Sequence, residues 1–574
     1  MASLNKRTSR GYTYWAIVES KRVNGKPRPI IVEYLGTADK LLDRLRNQDE
    51  IKIKSYNHGA CVILLDLIKE FEIIKIINKY IPRKQIRNNL TVGASLILAA
   101  IGRICFPTSK DNWYEGWAKN TSLSHLLKMN LKKIKCQHFW DQMDELPVEC
   151  IPQIEKEIIT RIIKKEKVKM QTLLFDTTNY YSYINSKNNR CKIAQRGKNK
   201  QKRNDLKQFG VMLLITEDWR IPIFHSTYTG NLQDRTVFKK NVSTMIERFK
   251  EFGGGSTENI TLIFDQGNHS KEILKQIYTD IYFITALSPY QHKSLINEAN
   301  KSLINVSIKN KNIPCFRIRK EIWGIDVTVV VYVSEKLREG QLRGTLNNIK
   351  KALKTLNQLQ VKLIMPKKRG KKRTIENLNK QIKQIIKRYK LSNVIKYELT
   401  ENENNVFSLK SWVDEKEVYR LYNEEFGRRI LITNRLNLQT QKIILSYWCQ
   451  SHIERVFRDT KNPFHLAVRP QYHWTDQKII VHNFILIIAL LLVSVLYKRA
   501  CEKIKYKGSF HSLLEKLNNI RLTTIIRKPK EKSKGKFQIK YQLEELEKDQ
   551  IKLAEAFGID KLQYKAESAF SVYE

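Results

Sequence analysis

Two short apolar runs, Leu173-Leu174-Phe175-Asp176 and Leu262-Ile263-Phe264-Asp265, each stop at an aspartate. Apolar runs of this length read as strands, so the chain must build a sheet with a carboxylate at the end of each of two strands. A third carboxylate, Glu454, lies in a stretch of helical spacing from Tyr447 to Lys461. Two strand-end aspartates and a helical glutamate can jointly hold two divalent cations, which can clamp the attacking and leaving oxygens of a phosphodiester. A polyanionic partner is the expectation this trio sets for the rest of the chain.

The charge balance agrees. Against 57 acidic residues stand 104 Lys and Arg, a formal +47 with a pI near 9.8, and such a surplus favours phosphate neutralisation. A Lys-rich surface inherited from an AT-rich genome accounts for the same numbers. With 574 residues, 42% of them hydrophobic, the chain is globular and long enough for two to four domains. Its eight cysteines form no C-x-x-C pair, which disfavours a zinc ribbon or redox dithiol and fits reduced thiols in the cytoplasm. The N-terminus lacks an apolar core and is no signal peptide. Ile479–Tyr497 is nearly long enough to cross a bilayer, but His482 and Asn483 interrupt it. A buried helix is expected there, and no membrane.

Pattern along the chain divides it into six parts. Residues 1–58 hold a β-hairpin, Tyr12–Val23 and Lys26–Leu35, around an Asn24-Gly25 turn. Residues 59–165 read as a helical domain suited to recognising a DNA site. Residues 166–289 follow the order β-β-β-α-β-α-β, with Asp176 on the first strand and Asp265 on the fourth. That is the element order of a ribonuclease-H-like core, in which those strands are neighbours. The fold class expected is therefore α/β, with this core interrupted by an inserted, β-containing domain at 290–435. The insert carries a basic run, Lys367–Arg373, that is either a solvated loop or a phosphate contact. Residues 436–505 return to the core with the helix Gln439–Lys461, and 506–574 form a basic linker and tail.

Positions 447, 450, 454, 458 and 461 step by three or four residues and so share one helix face. It carries Tyr447, Gln450, Glu454, Arg458 and Lys461, a carboxylate among groups able to grip phosphate oxygens. A salt-bridged surface helix has the same pattern. A second basic stretch, Lys187–Lys207, includes Arg196, Lys198, Lys202 and Arg203 between the first two strands. It is read as a clamp on the strand being cut, or as a solvated loop.

Tyr447-x2-Gln450-x3-Glu454-x6-Lys461 resembles the Tyr-x2-Arg-x3-Glu-x6-Lys signature of DDE transposases of insertion-sequence family four, with Gln in place of Arg. Asp176-Thr-Thr and Asp265-Gln-Gly-Asn268 are similar to that family's two aspartate motifs. Arg196-Gly197 with Arg203-Asn-Asp205, and Gly230-Asn231-Leu-Gln-Asp234, resemble further blocks. The resemblance implies that Asp176, Asp265 and Glu454 bind two Mg²⁺ (Mn²⁺ can substitute), and that Tyr447 and Lys461 contact phosphates. The Gln450 replacement loses the cationic fork of Arg. It also implies double-stranded DNA as partner, both transposon ends and target, and a homodimer in a synaptic complex. Hydrolysis and strand transfer at terminal inverted repeats are the implied reactions, in a nucleoid-associated cytoplasmic protein. A nuclease acting on DNA junctions or hairpins, or a catalytically retired DNA-binding derivative, remains open on the same residues.

Overall fold

The structure, a computed structural model, describes all residues except 1, 10, 24–25, 47–50, 83–85, 200–202, 253–259, 365–372, 403–405, 469–470, 528–537 and 563–574. The described residues form two compact units. One comprises 1–70, 110–136 and 499–574, the other 71–109 and 137–498. The helices read as a single domain over 59–165 are thus divided between the two.

In the first unit the expected hairpin gains a third strand. Ala2–Ser9, Tyr12–Val23 and Lys26–Thr37 form an antiparallel sheet, and the Asn24-Gly25 turn lies outside the described residues. The C-terminal part is not simply a linker. Arg521–Arg527 pairs with both Ile51–Asn57 and Gln538–Leu543. Its alternation explains why: Leu522 and Thr524 are buried while Arg521 and Thr523 hydrogen-bond near the surface, Arg521 to Ser55 across 466 residues of sequence.

The second unit is built on a nine-stranded sheet. Its strands are β1 (Thr172–Ser182), β2 (Lys207–Thr216), β3 (Pro222–Thr229), β4 (Thr261–Phe264), β5 (Tyr282–Leu287), β6 (Ile304–Ile308), β7 (Lys311–Ile322) and β8 (Ile325–Val333), and, after a two-stranded hairpin of β9 (Ile395–Glu401) and β10 (Phe407–Val413), β11 (Arg428–Thr433). The order across the large sheet is β6-β7-β8-β11-β5-β4-β1-β2-β3. β4 runs parallel to β1 and β5, and the remaining pairs are antiparallel.

The longer helices of this part of the chain include α1 (Ile151–Glu166), α2 (Asp234–Phe252), α3 (Glu335–Ile364), α4 (Ile375–Arg388), α5 (Thr440–Trp448), α6 (Gln450–Lys461) and α7 (Asp476–Ile504). Phe238 of α2 meets the rings of Phe175 and Phe264 at 4.7 and 5.0 Å, so both aspartate-bearing runs are covered at the same point. α7 is the long apolar helix, 94% buried over its most apolar window. Its Asn483 donates to Thr227 of β3 and its Ser494 to the Arg220 carbonyl, so the helix packs against the sheet.

The insert begins later than its spacing implies. Val327–Val333 is buried along its whole length, as a strand inside a sheet covered on both faces is, and it has a strand on each edge. Those strands are β7 and β11, so residues 304–333 and 428–433 extend the main sheet. What stands apart is α3, α4 and the β9–β10 hairpin, with a core of its own that includes Ile349, Leu356, Leu378, Ile382, Ile386 and Phe407.

Candidate active site

The two aspartates come together through register. Leu173 to Phe175 of β1 pair with Leu262 to Phe264 of β4, residue for residue. Asp176 and Asp265 are therefore the next positions on adjacent parallel strands. β4 stops at Phe264 while β1 runs on to Ser182, so Asp176 is not the end of its strand but the point where its parallel neighbour leaves.

Asp176 keeps part of its surface exposed, but its carboxyl lies deep. Burial, the largest influence, pushes its pKa up to about 7. A hydrogen bond from the Thr177 backbone and one from the Asn268 side chain hold the charged form against that push. The negative charges of Asp265 and Asp234 add to it. Asp265 caps the short turn Gln266–Asn268, accepting from the Gln266 N–H at 2.8 Å. Its Oδ1 also accepts the Tyr447 hydroxyl at 3.1 Å. Burial and the Asp265 charge raise the Tyr447 phenol, so it remains a proton donor across the physiological range.

The helix of the third carboxylate is shorter than its spacing implies. It breaks at Cys449, whose thiol donates to Glu217, leaving α5 and α6 as separate helices. α6 is laced along β1. Gln450 Nε2 donates to the Phe175 carbonyl at 2.9 Å, Lys461 to the Thr178 hydroxyl, and Thr460 meets the Tyr180 hydroxyl at 2.6 Å. The Lys461 ammonium also sits over the Tyr180 ring. Glu454 lies one turn past Gln450 on the same face, between the helix positions that touch Phe175 and Thr178 and hence alongside Asp176. It is exposed. Among the described residues no three His, Cys, Asp or Glu side chains stand close enough to share a metal ion. The fold thus brings Asp176 and Asp265 together and sets Glu454 beside them without joining it to them.

The expected phosphate contacts fare unevenly. Tyr447 and Gln450 are 7% and 8% exposed, and both side chains face the sheet, where the Gln450 amide holds backbone in place of reaching outward. Arg458 is exposed. Arg196 and Lys198 are exposed as well, whereas Arg203 forms a two-pronged pair with Asp205 at 2.7 and 2.8 Å. Lys202 lies outside the described residues, as do Lys367 to Lys372 of the basic run. The segment carrying Arg196 is tied down. Gln195 and Gln208 exchange backbone hydrogen bonds, and Gly230 N–H donates to Ile193. A Cβ on Gly197 would approach the Gly230 carbonyl to 2.4 Å, so the Arg-Gly pair reflects close backbone packing.

Two contributors were not singled out by sequence reasoning as site residues. Asp234 adds charge at Asp176, and with burial it raises the Tyr228 phenol. Asn268 donates to Asp176, and its Oδ1 is buried without a partner among the described residues. Their signal was the Gly-Asn-x-x-Asp block and the asparagine three residues past Asp265. A close carboxylate pair with no ion-pairing cation among the described residues, one member protonated near neutrality, fits a hard divalent ion bound through oxygen.

Residues 3–54 match the family described as IS1634 family transposase, N-terminal domain. This match supports an insertion-sequence transposase. It covers only the N-terminal sheet and the residues that follow it. No curated protein matches the chain. Among solved structures, the piggyBac transposase synaptic complex with hairpin DNA is similar at 9% identity and a TM-score of 0.37, over 80% of this chain and 79% of that one. A likeness at that level carries no argument about fold or mechanism.

Proposed function

We propose that the chain is a DDE transposase that binds the terminal inverted repeats of an insertion sequence, cuts at its ends and joins them to target DNA. The observation that carries this reading is the parallel register of Leu173–Phe175 with Leu262–Phe264, which leaves Asp176 and Asp265 as the next residue on each chain segment, with the Glu454 helix laced alongside. The β3-β2-β1-β4-β5 portion of the sheet, with β4 parallel to β1, supports a ribonuclease-H-like core. The N-terminal family match supports mobility of the element, and the +47 charge supports DNA as partner.

In this reading Asp176, Asp265 and Glu454 hold two Mg²⁺, with Mn²⁺ able to substitute. Bound there, such ions would supply Lewis-acid polarisation and charge neutralisation at the phosphodiester. The chain's own part is to orient the donors. Tyr447 fixes one Asp265 oxygen, Asn268 and the Thr177 N–H fix Asp176, and Gln450 locks α6 to the carbonyl preceding Asp176. The enzyme acts as a homodimer in a synaptic complex and is nucleoid-associated.

Asp176→Asn should abolish end cleavage of a terminal-repeat duplex while leaving duplex binding intact; undiminished cleavage would sink the assignment. Joining of a 3′-hydroxyl to a second duplex separates a transposase from a junction nuclease, which only hydrolyses.

A further inference from the structure

Between Gly340 and Tyr397 the sequence holds seventeen Lys and Arg and a single carboxylate, Glu376. Most of this segment is the helical pair α3 and α4, and on each helix the fold sorts the charge onto the face away from the module's core. On α4, Leu378, Ile382 and Ile386 point into the module's core. Lys380, Lys383 and Lys387 are exposed on the opposite face. On α3, Ile349, Ala352 and Leu356 point inward. Arg343, Lys350, Lys351, Lys354 and Lys362 are exposed away from them.

These cations are uncompensated. Among the described residues none of the eight makes an ion pair. Cations nearby in sequence do so readily: Arg420 with Glu417 and Glu425, Arg338 with Glu335, Arg319 with Asp326. Surface pairing is thus available in this part of the chain and withheld along the two helices. Like charges at helical spacing repel, a cost that an external polyanion offsets.

We infer that the outer faces of α3 and α4 form a DNA-backbone surface separate from the carboxylate site, gripping a duplex without regard to sequence. Arg343 to Lys362 spans ~28 Å of helix at 1.5 Å per residue, matching about eight base-pair steps of 3.4 Å. Flexible ammonium groups on a rigid module suit phosphates, whereas base readout calls for forked or amide side chains. A membrane surface fits less well, because insertion needs an apolar face and the main apolar stripes of both helices are taken up by the module's core. The choice of duplex DNA over RNA rests on the function proposed above; the polyanion-binding face does not.

The test uses the full chain and a 30-base-pair duplex of random sequence, with affinity measured by fluorescence anisotropy over a potassium chloride series. Combining Lys380→Gln, Lys383→Gln and Lys387→Gln should lower the slope of log K against log salt by about 2.7, or roughly 0.9 per lost phosphate contact. Gln has helix propensity close to that of Lys, so circular dichroism should be unchanged. Should that variant fail to fold, Lys350→Gln with Lys354→Gln on α3 gives the same readout, with a drop of about 1.8. An unchanged slope in a folded variant overturns the proposal, as does a loss confined to a double-stranded RNA of equal length. Asp176→Asn should leave the slope as in wild type, so failure of the cleavage reading and failure of this surface are told apart.

Discussion

The sheet end and the helical pair α3–α4 treat charge in opposite ways. At the sheet end, Asp176 and Asp265 lie together, each met by specific donors, while Glu454 is held on the neighbouring helix α6. Along α3 and α4, eight cations spread over an open surface with only a core behind them. The first arrangement concentrates free energy in a few positions, and losing one should be severe. The second distributes it, and losing one should be mild. Precision chemistry and nonspecific grip need these two different designs.

Each expectation below would break or sharpen that contrast. After the loss of cleavage expected for Asp176→Asn, the largest effect should come from Glu454→Gln, which removes an exposed carboxylate that makes no hydrogen bond among the described residues. End cleavage should fall by about 10²-fold or more, with the melting temperature unchanged; a parallel loss of stability would mean a structural role. Next is Asp176→Asn in the cation-free protein. A carboxyl whose folded pKa is about 7, against an ordinary 3.8, binds more protons folded than unfolded between those values. Its penalty on stability is absent below pH ~4, grows as pH rises to 7 and is then constant. Asparagine should therefore stabilise the fold on the order of 2–4 kcal/mol at pH 8 and by little at pH 4, as read by urea unfolding. A pH-independent difference would deny the buried charge.

Tyr447→Phe removes one hydrogen bond to Asp265. A loss of about 1 kcal/mol in stability or transition-state binding is expected, visible as a drop of several-fold in cleavage. A thousandfold loss would instead give the phenol a direct part in the chemistry. Smallest is a single Lys383→Gln on α4, which should shift the salt slope by about 0.9 and leave cleavage of a terminal-repeat duplex at low salt nearly unchanged.

How far the sequence led depended on the range of the interaction. The aspartate pair was legible because two similar apolar runs, Leu173–Phe175 and Leu262–Phe264, pair in register. The face from Gln450 to Lys461 was legible from helical period alone. The break at Cys449 was not, because no Gly or Pro marks it and the thiol's partner, Glu217, lies 232 residues away. Gln450 could equally have faced outward; only the closeness of α6 to β1 turns its amide onto the Phe175 carbonyl. The module boundary was misplaced because the unbroken Val327–Val333 run suits any buried strand, and sequence does not say whose sheet it joins. The strand at Arg521–Arg527 was hidden for the same reason: its partner, Ile51–Asn57, is at the other end of the chain.

The central claim is that Asp176 and Asp265 are poised to bind a divalent cation, and calorimetric titration with Mg²⁺ tests it most directly. Because Asp176 holds its proton to about pH 7, binding at pH 6 should release about one proton per site, and at pH 9 almost none. Asp176→Asn should weaken binding sharply and release no proton at either pH. Cation binding by Asp176→Asn equal to wild type, or wild-type binding with no proton released at pH 6, would contradict the account.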